Sequence, residues 1–165
     1  METNLLEIWL RRDPIRWVAG ALGGLFAGAL AMAVAILIAF SLDWDPLFPI
    51  KLLGTPLLGA SATEIQTTQG AVAGALLIEA ICIFWGIVFA HFTGTNSVRA
   101  LLGMGLAWGA FSWIFIWNLF LQSFKPIFAA RIPAGPAFPV CMTYGLALAS
   151  VAVFDRMLRK EATTR

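Results

Sequence analysis

One acid interrupts the most lipid-like stretch of this chain. From Gly70 to Thr93 the sequence reads Gly-Ala-Val-Ala-Gly-Ala-Leu-Leu-Ile-Glu79-Ala-Ile-Cys82-Ile-Phe-Trp-Gly86-Ile-Val-Phe-Ala-His91-Phe-Thr. A charged side chain in hydrocarbon costs from about 3 kcal/mol upward, so Glu79 needs a partner, water or a proton. The chemistry open to it is proton carriage, cation ligation or pairing with a base on another subunit. The structural alternative is a protonated or water-reaching acid bonded to a neighbouring helix. Cys82 and Gly86 follow at intervals of three and four, on the same helical face. His91, the single histidine, stands about 18 Å farther along, too far to share a small site with Glu79. Its position near a helix end suits a cap or a bond across a helix interface. One histidine argues against a bis-histidine haem held by this chain alone.

The remaining polar candidates are sparse. Trp113 and Trp117 face the same way, with Asn118 and Gln122 beside them, as in an aromatic belt at a membrane interface. Asn118 is placed to bond across a helix contact. Cys82 and Cys141 lie in apolar surroundings without metal-ligand spacing and read as buried structural thiols. There is no Ser/His/Asp constellation, phosphate-binding glycine loop or metal-ligand cluster in the sequence. The expectation is therefore a non-enzyme with no cofactor, no metal and no catalytic residue.

Composition sets the elements that must position Glu79. The chain is 60% apolar and 12% charged, against roughly 45–50% and 25% in soluble domains, which indicates a membrane protein. A net charge of +2 with scattered basic residues does not suit nucleic acid. The 165 residues form one all-α, polytopic membrane domain. An amphipathic lead-in over residues 1–16 precedes four spans at about 17–42, 70–93, 98–121 and 137–154. Gly20, Gly24 and Gly28 recur every four residues in the first span, continued by Ala31 and Ala35, and Gly105 and Gly109 do so in the third. Such small-residue faces let helices approach closely. The connection over 43–69 is punctuated by Pro46, Pro49, Gly54 and Pro56 and reads as a loop with one interfacial helical turn near Pro49–Leu53.

The two halves also resemble each other. Pro46-Leu-Phe-Pro-Ile-Lys51-Leu-Leu-Gly-Thr-Pro56 parallels Pro126-Ile-Phe-Ala-Ala-Arg131-Ile-Pro-Ala-Gly-Pro136. Gly24-Leu-Phe-Ala-Gly28 parallels Gly105-Leu-Ala-Trp-Gly109, and Cys82-Ile-Phe-Trp-Gly86 parallels Cys141-Met-Thr-Tyr-Gly145. The pattern suggests two helix hairpins inserted with the same polarity, as parallel repeats. Two depths for Glu79 then compete. Hydropathy places it about 13 Å into its span, near the bilayer centre, whereas the repeat sets it level with Phe138, close to the outer end of the fourth span.

Basic residues orient the chain. With both termini cytoplasmic, that side holds Arg11, Arg12, Arg16, Arg99, Arg156, Arg159, Lys160 and Arg165, against Lys51, Lys125 and Arg131 opposite. The hairpin arrangement, the glycine-rich third span and the helix ending Gly86-Ile-Val-Phe-Ala-His91 resemble the small bacterial inner-membrane proteins related to YagU. That resemblance covers the middle two-thirds of the chain and implies an inner-membrane protein of several spans with proline-rich external loops. Family members carry further histidines in the later helices; this chain has none there, and no functional residue carries over. The expected function is a non-catalytic accessory or assembly subunit of a larger membrane complex, a respiratory one being a candidate. Its partners would be the lipid bilayer and other membrane subunits or a second copy. The alternative is a small oligomeric transporter or channel for protons or cations, built around Glu79.

Overall fold

The computed structural model describes residues 12–63, 68–116 and 134–164. Helix α1 spans Pro14–Ser41 and starts earlier than hydropathy alone places it. Pro14 occupies the first helical position, where no N–H is needed, and the Asp13 carboxylate accepts the Arg16 N–H at 3.1 Å. The helix stops before Asp43, whose φ of 56° lies in the left-handed region that ends a helical run.

The following connection is folded rather than looped. Helix α2 (Phe48–Leu53) and helix α3 (Thr55–Leu58) lead into a 3₁₀ turn at Gly59–Thr63. Ile50, Lys51 and Leu52 are buried, so this is not a single turn lying at the interface. The cause lies in helix α4 (Thr68–Phe92). Gly70 and Gly74 leave open the positions where a Cβ would strike the carbonyls of Ala62 and Ile50, and the connection packs into that space. Burial of a cation requires a counter-charge. Lys51 Nζ donates to Asp45 Oδ2 at 2.7 Å, and that hydrogen bond holds the Asp45 carboxyl below its ordinary range.

Helix α5 covers Val98–Trp113, with the helical path continuing through residues 114–116. Helix α6 (Ala134–Ala147), a 3₁₀ turn at Leu148–Ser150 and helix α7 (Val151–Thr163) make one rod. Among the described residues, four helices are long and apolar enough to cross a membrane: Pro14–Ser41, Thr68–Phe92, Val98–Ile116 and Ala134–Thr163. The chain is an all-α polytopic membrane protein. The last rod outruns the expected 137–154 because its hydropathy fades at Asp155 while the helix does not. The lead-in over 1–11, Trp117, Asn118, Gln122 and the connection through Arg131 lie outside the described residues.

Helix α1 is the centre of the bundle and carries two narrow faces. Gly20, Gly24 and Gly28 meet α4; a Cβ on Gly20 would sit 2.7 Å from the Gly86 carbonyl oxygen. Gly23 meets the α6–α7 rod, with a Cβ there only 2.6 Å from Val151 Cγ2. Ala19 and Ala27, one turn either side of Gly23, are fully buried. This second ladder, Ala19-xxx-Gly23-xxx-Ala27, is as visible in the sequence as the first. The other hairpin repeats the device: Gly105 meets the Gly145 carbonyl, and a Cβ on Gly109 would lie 2.7 Å from that of Cys141.

The contacts of the two hairpins correspond when Gly20 is set against Gly105 and Gly24 against Gly109, since Gly24 meets the Cys82 carbonyl as Gly109 meets that of Cys141. This lies one helical turn from the Gly24–Gly105 match. A ladder with a period of four permits either alignment by sequence, and backbone contact selects this one.

Without hydrophobic drive between helices in lipid, the close approach itself must stabilise the bundle. Replacing Gly24 with Leu should overpack the α1–α4 contact and destabilise by about 1–3 kcal/mol or more. Gly103→Ala, where nothing lies within 4 Å of the new carbon, and Leu37→Ala, at an exposed position, should change little. Thermal unfolding in detergent measures all three; equal tolerance at Gly24 and Gly103 would contradict this packing.

Candidate functional site

Charged side chains from distant parts of the sequence converge at one end of the bundle. Arg16 lies in the first turn of α1 and is buried, 7% exposed. Its Nε donates to the Ala90 carbonyl at 3.1 Å, and Nη2 donates to the Thr95 carbonyl at 2.7 Å and to Thr93 Oγ1 at 3.3 Å. These groups surround the C-terminus of α4, where the helix leaves its last carbonyls without intrahelical donors. A cation there also suits the negative end of the helix dipole. Arg16 Nη1 donates to Asn96 Oδ1 and lies 3.9 Å from Asp155.

Asp155 is the hub of this cluster and is fully buried. It accepts from Asn96 Nδ2 at 2.6 Å, from Arg159 Nε at 2.9 Å and from Arg159 Nη2 at 3.1 Å. Arg159 Nη2 reaches Asp13 Oδ2 at 2.6 Å, so the residue that caps α1 also ties it to α7. Two arginines and two aspartates balance. A buried charge survives when it is paired and hydrogen-bonded in this way. The arrangement clamps the start of α1, the end of α4, the turn before α5 and the body of α7 to one another.

His91 belongs to this end. Its Nδ1 accepts from Trp17 Nε1 at 3.2 Å, a bond between α4 and α1. With Asp13, Arg16, Trp17 and Arg159 it lines a recess of about 50 Å³. The expectation of a bond across a helix interface fits this geometry, as does its separation from Glu79. Sequence reasoning missed the clamp itself. Its signal was present in Asp13 and Arg16 at one span's start and Asp155 and Arg159, four apart, at another's end.

Glu79 sits at mid-span, opposite Gly28 in the middle of α1. Its Oε2 lies 2.6 Å from where a Gly28 Cβ would be, and Cys82 Sγ lies 3.1 Å from the same point. Gly28 and Glu79 both lie near the middle of their helices, Pro14–Ser41 and Thr68–Phe92. Oε2 is buried and has no hydrogen-bond partner among the described residues. One turn along, the hydroxyl of Tyr144, the chain's single tyrosine, donates to the Cys82 carbonyl at 2.9 Å and joins α6 to α4. Sequence reasoning did not single out Tyr144. Cys82 is buried, as expected of a structural thiol, while Cys141 is half-buried.

Trp108 lies at a contact between two helices. It packs edge-on to Trp85 and Phe89 of α4, with ring centroids 5.6 and 5.8 Å away, and bridges α4 to α5. Trp113 closes the opposite end of its hairpin by donating to the Ala134 carbonyl at 2.9 Å. Beside Trp108 a cleft of about 400 Å³ opens between α4 and α5, lined by Phe89, Phe92, Thr93, Met104, Ala107 and Phe111. Among the described residues no three His, Cys, Asp or Glu side chains gather as a metal site. Compared with known proteins, the chain matches no family model, no curated protein and no solved structure.

Proposed function

We propose that this chain is a non-catalytic integral subunit that docks against a larger membrane assembly. The observation that carries the reading is the apolar flank that α5 keeps open beside its Trp108 contact with α4. Helix α5 packs on α6 through Leu101, Gly105 and Gly109, leaving Leu102, Met104, Leu106 and Phe111 exposed. The adjoining cleft with α4, about 400 Å³, is of the size that accepts a ligand or inserted side chains, roughly 300–1,000 Å³. The clamp and the glycine contacts supply a rigid frame behind that flank. A transmembrane helix of a partner subunit is the occupant this reading commits to.

The rest of the proposal concerns setting. The bacterial inner membrane, with both termini cytoplasmic, is supported by the distribution of basic residues. The corresponding glycine contacts of the two hairpins support duplication of one hairpin. Kinship with YagU-like proteins rests on the hairpins and the Gly86–His91 helix end. A second reading, proton- or cation-linked transport, draws on the unpartnered Glu79 oxygen at mid-span.

A photoreactive phenylalanine analogue at Phe111 should crosslink in cells to a discrete, different membrane protein, whereas the same group at Leu37 should capture lipid. Capture of lipid or of this chain alone from Phe111 would overturn the subunit reading. For orientation, a cysteine at Thr163 in a Cys82→Ala/Cys141→Ala background should react with impermeant maleimide only from the cytoplasm, and one at Thr63 only from outside. The reverse pattern would reject the assignment.

A further inference from the structure

The three glycines that α1 turns toward α4 do different things. Gly24 admits backbone, the Cys82 carbonyl and Ile83 Cα, and Gly20 admits the Gly86 carbonyl and Ile87 Cα together with the small Ala90 methyl. Gly28 admits side chains instead: Glu79 Oε2 at 2.6 Å from the absent Cβ, then Cys82 Cβ at 2.9 Å and Sγ at 3.1 Å. It forms the floor of a notch that fits one carboxyl group. Any side chain at residue 28 would displace the acid.

The groups around the notch bear on what it holds. On α1 the residues one turn either side of Gly28 are Gly24 and Met32, neither of them ionisable. On α4 the neighbour is Cys82, and α6 contributes Tyr144 and Cys141. The Tyr144 hydroxyl is directed to the Cys82 carbonyl. Of the cations on the elements packed against α4, Arg16 bonds at the clamp, about 18 Å along α1 from Gly28, and Lys51 pairs with Asp45. A carboxylate in the notch would face its desolvation cost without a neighbouring cation among the described residues.

We propose that Glu79 is a proton-binding site, with the closed α1–α4 contact holding the carboxylic acid form and ionisation driving the carboxyl out of the Gly28 notch. A hard metal cation is the poorer ligand, because such ions take about six or more oxygens. The notch presents one carboxyl, and the backbone carbonyls beside it belong to helices. A proton needs a single oxygen. This deepens the second functional reading by naming its ligand, yet it requires no flux.

The test is infrared difference spectroscopy of the full chain in phosphatidylcholine–phosphatidylglycerol vesicles, wild type against Glu79→Gln. The expected result at pH 7 is a protonated-carboxyl C=O stretch present in wild type and absent from the variant. It should persist well above the pKa of about 4.3 of a free glutamate and disappear as pH rises through the site's own value. Sodium or magnesium at fixed pH should leave the band in place. Gly28→Ala should lower the titration midpoint by about one unit or more, which is a tenfold loss of proton affinity. If that variant does not fold, the wild-type and Glu79→Gln pair still decides. No difference band at pH 7, or a band displaced by sodium or magnesium, would overturn the proposal. Proton flux in the same vesicles separates the two ideas: a band without flux rejects transport and leaves the proton site standing.

Discussion

The bundle depends on backbone pressed against backbone. Lipid tails are as apolar as leucine, so burying apolar surface between helices gains little in a bilayer. What remains is dispersion over a close, complementary contact and the pairing of polar groups that have no water to fall back on. Gly20 and Gly24 against Gly86, and Gly105 and Gly109 against Gly145, provide the first. Around α1 the two narrow faces lie side by side, which is why α4 and the α6–α7 rod can both reach it.

Polar groups follow a division of labour. At the charged end, Arg16, Asn96, Asp155, Arg159 and Asp13 bond to one another and to the carbonyls at the end of α4. A network of this kind stabilises little relative to apolar packing, but it fixes which helix ends meet, because each wrong pairing strands a buried charge. At mid-span the polar groups are fewer. Tyr144 directs its hydroxyl to the Cys82 carbonyl, whereas Glu79 keeps an oxygen without a partner among the described residues. That contrast separates a group that holds the bundle together from a carboxyl that bonds to no neighbouring helix among the described residues.

Much of this was legible in the sequence, within limits set by what a one-dimensional pattern encodes. Apolar runs and the glycine ladder located the spans and one narrow face of α1, because both are local. The Asp13-Pro14 start was misplaced since hydropathy ignores capping. The connection after α1 read as loop because prolines and glycines punctuate it. Its folding is decided by Gly70 and Gly74 on another element. The clamp was not read because its members come from separate span ends, and only the bundle brings Arg16 and Asp155 to 3.9 Å. Glu79 was found at once, since a carboxyl in a lipid-like run is conspicuous wherever it points. Asn118 lies outside the described residues.

The claim that one shared network ties the helix ends is tested most directly by a double-mutant cycle on Arg16→Gln and Asp155→Asn, read by thermal unfolding in detergent. Removing one member of a buried pair costs about 3–5 kcal/mol, since it strands the other charge. Residues acting in one network show coupling of about 0.5–3 kcal/mol, so the double variant should be less damaged than the sum of the singles. Additivity within about 0.3–0.5 kcal/mol would mean that Arg16 and Asp155 act independently, and the clamp as described would not exist.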